Sequence, residues 1–507
     1  MNLTQLFAIA RERNPERVAL EELGPDGLSR ETTFAALHDE AARLAAGFQS
    51  LGLGQGERVA FYLGNRREFA VAYLAVLRLG AVMVPINLAY RRREIAHILH
   101  DAEPRFLLSE RAHEAALGEL EGAERGTVER VLWAEDLAGW SIEAPVAPAN
   151  VGGDDLALLM YTSGTTGRSK GAMLSHDNLL ATITGLLAAW DWRAADSLLL
   201  SLPLFHTHGL VVGLHCALAA GATTQLRRRF DAAHTVTELA AGAATLFFGV
   251  PTMYVRLVEE LRRTGAGPDL RRLRLFCSGS APLAPETFDA FAALTGHRIL
   301  ERYGMTETGM LLSNRYATAA GERRAGTVGF PLPGVSVEIV DASGNGVPDG
   351  GEGELLVAGS NVFSGYWRAP EKTAESFTVD AARQRWFHTG DLARRDPGSG
   401  HVTLLGRRTE LILCGGFNVY PREIEELLES HPAIREAAVV GRPHAEWGEV
   451  PVAFVVPRQA VVEAEVIAWC KGQLAGFKAP RAIHVLETLP RNALGKVQKH
   501  LLPRDAA

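Results

Sequence analysis

From residue 34 onward the chain alternates between two hydrophobic rhythms, and that alternation leaves few folds open. Strand-length apolar runs at 58–63 and 82–87 are preceded or separated by stretches, 34–51 and 67–79, whose apolar residues recur at helical spacing. Strand-like runs follow at 105–108 and 131–133. The pattern restarts at 157–161 and recurs at 198–202, 245–250 and 273–278. Strands that alternate with helices require crossover connections, and these build parallel sheets covered by helices. The restart predicts two stacked α/β halves.

Near Gly329 the texture changes. Runs at 336–340, 353–357 and 402–405 read as strands separated by turns such as Ser343-Gly344-Asn345-Gly346. They predict a small β-rich unit attached to the α/β halves. Beyond Gly406-Arg407 a compact tail predicts its own αβ domain. It has a helix at 421–430 opened by Pro421, strands at 437–440 and 450–456, a helix at 463–474 and a strand at 482–486. The expected division is a large N-terminal domain, 1–407, and a small C-terminal domain, 408–507.

Composition excludes several classes. Hydrophobic residues at 47% and charged residues at 22% belong to a globular protein, not a disordered or fibrous one. A net charge of -7 and no long basic tract argue against nucleic acid as a partner. The apolar stretch 69–87 is interrupted by Arg78 and Gly80, so a buried helix and strand are expected there, not membrane insertion. The N-terminus has no apolar stretch of the kind a secretory leader needs. Cys216, Cys277, Cys414 and Cys470 are scattered, as reduced thiols in a cytoplasmic protein would be.

One loop carries specific chemistry. After the run at 157–161 comes Tyr161-Thr162-Ser163-Gly164-Thr165-Thr166-Gly167-Arg168-Ser169-Lys170-Gly171. Its glycines let backbone N–H groups converge on one point, and its hydroxyls and lysine add donors. Such a loop suits a polyphosphate, although its spacing is not the Walker pattern. Lysine is rare here, with six in 507 residues, yet one stands in this loop.

This loop resembles the phosphate loop of the AMP-forming adenylating enzymes: acyl-CoA synthetases, firefly luciferase and peptide-synthetase adenylation domains. More motifs agree in the family's order. They are Tyr303-Gly304-Met305-Thr306-Glu307, Thr389-Gly390-Asp391, Gly406-Arg407, the segment Gly415-Gly416-Phe417-Asn418-Val419-Tyr420-Pro421, and Pro490-Arg491-Asn492-Ala493-Leu494-Gly495-Lys496. The resemblance spans essentially the whole chain.

It implies a two-step reaction using ATP, Mg²⁺ and coenzyme A. A carboxylate attacks the α-phosphate of ATP, and a thiol then displaces AMP. Thr162, Ser163, Gly164, Thr165, Thr166, Gly167 and Lys170 would hold the outer phosphates, with Glu307 as Mg²⁺ ligand beside Thr306. Tyr303 would stack on adenine, with Gly279, Ser280 and Ala281 bordering it. Asp391 and Arg407 would bind the ribose. Lys496 would bridge the incoming carboxylate and the α-phosphate as a mobile point charge. An acetyltransferase acting on Lys496 would abolish that charge, and a deacetylase would restore it. Lys499 reads as an ordinary exposed lysine. A mobile C-terminal domain would rotate about a hinge after Arg407, near Thr409, which departs from the family's usual aspartate or lysine. Gly415, Gly416 and Phe417 would then line the CoA tunnel.

The acid is narrowed by Arg302, in Leu300-Glu301-Arg302-Tyr303-Gly304. Relatives taking aryl or fatty acids commonly carry glycine there. The version ERYGMTE resembles that of the malonyl-CoA synthetases, whose dicarboxylic acid has a second carboxylate for the arginine fork. Methylmalonate and, without that pairing, medium-chain or aryl acids are the alternatives. Two placements of Arg302 stay open: into the acyl pocket, or turned away onto Glu301 or a surface acid. In Phe205-His206-Thr207-His208-Gly209, His206 and Thr207 would line the acyl pocket with Met305. A metal cluster of His206, His208, His215 and Cys216 matches no standard zinc spacing.

Overall fold

The computed structural model describes residues 1–503 except 25–26, 121, 163–168, 266–268, 318–322, 415–416, 445–446 and 493–494. Two large sheets form the N-terminal part. One has seven strands, in the order Gly365–Tyr366, Lys170–Ser175, Leu156–Thr162, Val82–Pro85, Arg58–Tyr62, Phe106–Ser109 and Arg130–Trp133. The other has nine, and its centre runs Leu300–Met305, Leu275–Ser278, Leu246–Gly249, Ser197–Leu200 and Thr223–Leu226, all parallel. These are the two stacked α/β halves that the alternation predicts.

Period-two alternation within the strands explains the layering. Val59 and Phe61 belong to a hydrophobic cluster shared by both sheets, while their neighbours Ala60 and Tyr62 belong to another on the outer face. Leu246 and Phe248 likewise face the shared core, and Phe247 faces outward onto Tyr254 and Phe276. The helices Phe34–Ser50 and Arg67–Arg78 supply the filling between the sheets. Phe69 to Leu77 is buried without a break, because both sides of that helix meet apolar layers.

The strands Val335–Val340, Glu352–Gly359, Phe377–Val379, Arg385–Arg395 and Val402–Arg407 make the β-rich unit, all antiparallel. Beyond it, Ile412–Cys414, Phe417–Val419, Ile434–His444, Gly448–Pro457 and Ala482–Val485 form a separate sheet. Helices Pro421–Ser430 and Glu463–Lys471 cover it, and Ile412, Val419, Ile424, Leu428, Val439 and Val455 give it a core of its own. The second helix is shorter than the expected 463–474, ending at Lys471 with Gly472 as its C-cap. The central hairpin is longer than expected, since backbone pairing continues past the apolar residues to His444 and Gly448.

Candidate active site

A cleft of about 960 Å³ opens where the C-terminal unit meets the end of the nine-stranded sheet. Arg302, Tyr303 and Met305 reach it from the strand Leu300–Met305, and Asp391, Arg407 and Lys496 close it from the other side. Ser280 and Ala281 come from the turn after Leu275–Ser278. Ser280 holds φ of 72°, a left-handed conformation rare for a residue with a side chain.

Asp391 is the electrostatic centre of one wall. Its Oδ1 lies 2.8 Å from Arg407 Nε, and its Oδ2 accepts the Tyr303 hydroxyl. Arg407 also donates to the Thr389 carbonyl at 2.8 Å, while the Thr389 hydroxyl accepts the Asp391 N–H at 3.1 Å. Burial raises the Asp391 carboxyl above its ordinary value, and Arg407 opposes that rise. The Thr-Gly-Asp motif thus builds one anchored polar edge.

Lys496 stands on a tight turn. Its N–H donates to Asn492 Oδ1 at 2.9 Å, and the Asn492 N–H donates back to the Lys496 carbonyl at 2.9 Å. Gly495 adopts φ of 76°, and a Cβ there would sit 2.7 Å from Thr252 Oγ1, so the turn rests directly on the N-terminal part. Lys496 is exposed, and its exposed surface faces the cleft. Desolvation and then Arg407 lower its proton affinity, opposed by Asp391 and Glu410. Lys499 corrects the reading of it as an ordinary exposed lysine. Its side chain is 17% exposed and pairs with Glu410 Oε2 at 2.8 Å and Glu425 Oε1 at 2.7 Å.

Arg302 points inward. It is 3% exposed, and its Nε and Nη2 have no hydrogen-bond partner among the described residues. The guanidinium lies beside the Cys277 thiol, and burial lowers its proton affinity. Glu301 points to the opposite side and accepts the Leu283 N–H at 3.1 Å, so it is not the arginine's partner. His208 shares a hydrogen bond between its Nδ1 and Ser280 Oγ, 3.1 Å, and its buried Nε2 has no partner among the described residues. Burial and then the Arg302 charge hold His208 neutral.

His206 has a buried Nε2 with no partner among the described residues and is pushed down to about 4 by burial. Thr207 is also buried, its hydroxyl donating to Met160 Sδ at 3.4 Å. Neither lines the cleft, whereas Met305 does. His215 is enclosed between Phe7 and Tyr73, stacked on the latter at 5.2 Å, and Cys216 is a buried free thiol. Among the described residues no three metal-ligating side chains converge, so the His206, His208, His215 and Cys216 cluster does not form.

Thr162 pairs with Lys170 across the antiparallel strands Leu156–Thr162 and Lys170–Ser175. Ser163, Gly164, Thr165, Thr166 and Gly167 lie outside the described residues. Thr162 Oγ1 donates to Glu307 Oε1 at 3.4 Å, and the Tyr366 hydroxyl donates to the same oxygen at 3.0 Å. Lys170 Nζ stands 5.8 Å from the Tyr366 ring centroid. Thr306 is in the turn after Leu300–Met305 that presents Glu307. A magnesium ion takes one or two carboxylates and completes its shell with water and substrate phosphates. One carboxylate held by hydroxyls beside a phosphate loop fits that donor set.

Gly279 packs under Arg302 and does not line the cleft. Gly415 and Gly416 lie outside the described residues. Phe417 is 55% exposed, stacked on Phe477 at 4.6 Å, and is not part of the cleft wall. Sequence reasoning did not single out His208 with Ser280, or Glu410. The second histidine of Phe-His-Thr-His-Gly was the available signal for the first. It opens the buried π-helix His208–His215, a rare element that recurs at functional sites.

Comparison with known proteins identifies the family. Residues 7–367 match the AMP-binding enzyme family, and residues 423–496 match the AMP-binding enzyme C-terminal domain. The chain is 36% identical over 473 residues to the feruloyl-CoA synthase of an Amycolatopsis species, covering 92% of each chain. It is 34% identical over 494 residues to the malonate–CoA ligase of Arabidopsis thaliana, covering 90% of this chain and 79% of that one. The crystal structure of ATP-bound MatB from Rhodopseudomonas palustris superposes with a TM-score of 0.90 at 40% identity, covering 99% of this chain and 98% of that one.

Proposed function

The chain belongs to the AMP-binding enzyme family as an AMP-forming acyl-CoA synthetase, and on that premise we propose that its acid is malonate. One observation carries the choice: Arg302 is a buried guanidinium at the cleft, and two of its nitrogens have no hydrogen-bond partner among the described residues. A buried charge is costly unless paired. A dicarboxylate supplies the pair with one carboxylate and leaves the other for reaction. At an effective dielectric of about 20, opposite charges 4 Å apart attract by roughly 4 kcal/mol. The similarity to a malonate–CoA ligase supports this reading. Similarity to a feruloyl-CoA synthase supports an aryl acid instead, but an aryl monocarboxylate leaves Arg302 unpaired. Methylmalonate keeps both carboxylates and is the alternative within this reading.

The residues then divide the work. Arg302 binds the distal carboxylate, with neutral His208 and Ser280 beside it. Met305 shapes the remaining pocket, while His206 and Thr207 sit outside the cleft wall. Tyr303, with Ser280 and Ala281, takes the adenine, Gly279 lies under Arg302 and not at the base, and Asp391 and Arg407 take the ribose. The loop from Thr162 to Lys170 holds the outer phosphates. Glu307 would ligate Mg²⁺, which when bound neutralises phosphate charge. Lys496 holds the reacting carboxylate oxygen against the α-phosphorus, where in-line attack expels pyrophosphate and leaves malonyl-AMP. The CoA thiol then attacks the malonyl carbonyl carbon, and the bond to AMP breaks. For that step we propose rotation of residues 408–507 about Thr409, which withdraws Lys496 and brings Gly415, Gly416 and Phe417 inward. The four buried thiols support a reducing compartment such as the cytoplasm.

The test is product analysis. With ATP, Mg²⁺, malonate and CoA, mass spectrometry should find malonyl-CoA and AMP in equal amounts. ADP as the product, or turnover without any carboxylic acid, would refute the reaction.

A further inference from the structure

Arg408–Glu410 forms a single 3₁₀ turn directly after Arg407, and its two ends are tied to opposite sides of the molecule. Arg408 Nη1 pairs with Glu354 Oε2 of the β-rich unit at 2.8 Å. Glu410 Oε2 pairs with Lys499 Nζ at 2.8 Å. Thr409, between them, is exposed. The two ties are unequal. The Arg408 side chain is 62% exposed, so water and salt screen its pair, whereas the Lys499 side chain is 17% exposed.

Lys499 has a second anchor. Its ammonium lies 2.7 Å from Glu425 Oε1 on the helix Pro421–Ser430. That same oxygen accepts the Val439 N–H at 2.8 Å, which fixes the carboxylate to the C-terminal sheet. Both carboxylates hold the Lys499 proton firmly against the cost of burial. Lys499 therefore joins the end of the turn to the helix and sheet behind it. It stands three residues after Lys496, on the same chain segment.

We propose that Lys499 is a positioning residue for Lys496, making Glu410 part of the C-terminal rigid body so that Lys496 is delivered to the cleft in register. This rests on the reading of Lys496 as the adenylating lysine. Without Lys499, Glu410 is released from the C-terminal unit, motion spreads beyond Thr409, and the Lys496 turn loses its fixed distance from Arg407 and Asp391. Misplacement of about 1 Å costs on the order of 100-fold in rate. The cost falls on the half-reaction that uses Lys496 and spares the one that does not.

The experiment separates the halves. Malonate-dependent pyrophosphate exchange measures adenylation, and conversion of synthetic malonyl-AMP with CoA measures thioester formation. Lys499→Met should lower the first by about 100-fold and leave the second near wild type, which also shows that the C-terminal unit is folded. Glu410→Gln, which keeps the Lys499–Glu425 pair, should produce the same split in milder form. Lys499→Arg should restore adenylation. An equal fall in both half-reactions, or no change in either, would overturn the proposal. Failure of the wild-type protein to form malonyl-AMP would instead overturn the functional reading.

Discussion

The guanidinium of Arg302 lies against Gly279 so closely that a Cβ at residue 279 would sit 2.5 Å from its atoms. Gly279 is thus the floor on which the arginine rests. Gly279→Ala should push the guanidinium out of register and raise the KM for malonate by about tenfold or more, the effect of losing roughly 1.4 kcal/mol of binding. Steady-state kinetics at saturating ATP check this, and unchanged malonate KM would show that Arg302 has room to spare.

Removing the charge should reverse the preference for acids. Breaking a buried ion pair costs about 3–5 kcal/mol. Arg302→Gly should therefore lower kcat/KM for malonate by about two to three orders of magnitude and raise activity on monocarboxylates. Unchanged malonate kinetics would remove Arg302 from the acyl pocket.

Lys496→Ala should cost about 100- to 1000-fold in adenylation, the usual range for one lost donor at a developing charge. Thioester formation from synthetic malonyl-AMP should survive. Stopped-flow release of pyrophosphate separates the two, and equal loss in both would make Lys496 structural.

Glu301 and Glu429 should each take stability away as pH rises from about 5 to about 7, against the opposite contribution of buried neutral histidines such as His206. The Glu301 carboxyl is 4% exposed, and burial pushes it up to about 7 from an ordinary value of 4.5. Glu429 is raised to about 7 for the same first reason. Between those limits these two carboxyls bind protons in the native state that the unfolded chain has released, so their contribution to the unfolding free energy declines with rising pH. Glu301→Gln should remove that contribution, so the variant's Tm should gain on the wild type's as pH rises from about 5 to about 7, since the amide still accepts from Leu283 N–H. An identical slope in the variant would place the titration elsewhere.

The sequence made the layered fold legible because buried parallel strands and their covering helices carry strong periodic signals. The runs at 157–161 and 273–278 correspond to Leu156–Thr162 and Leu275–Ser278. The hairpin partner Lys170–Ser175 was not read, since a mixed glycine and methionine run carries no clear alternation. The inward direction of Arg302 could not be chosen from sequence. It depends on Glu301 turning the other way along one strand and on Gly279 clearing space from another. Lys499 was misread for a similar reason. Its carboxylates, Glu410 and Glu425, are 89 and 74 residues away in the chain and meet it only in the folded structure. Motif identity located the cleft, and side-chain direction within it required the fold.

The most direct measurement is pyrophosphate release with ATP and Mg²⁺, comparing malonate with methylmalonate, acetate, hexanoate and coumarate, each with and without CoA. An unpaired Arg302 penalises every monocarboxylate by about 3–5 kcal/mol. Malonate should therefore lead the monocarboxylates by two or more orders of magnitude in kcat/KM, with methylmalonate the nearest rival. A monocarboxylate leading instead would leave the family and the fold in place and contradict the assignment of Arg302 as the partner of a second carboxylate.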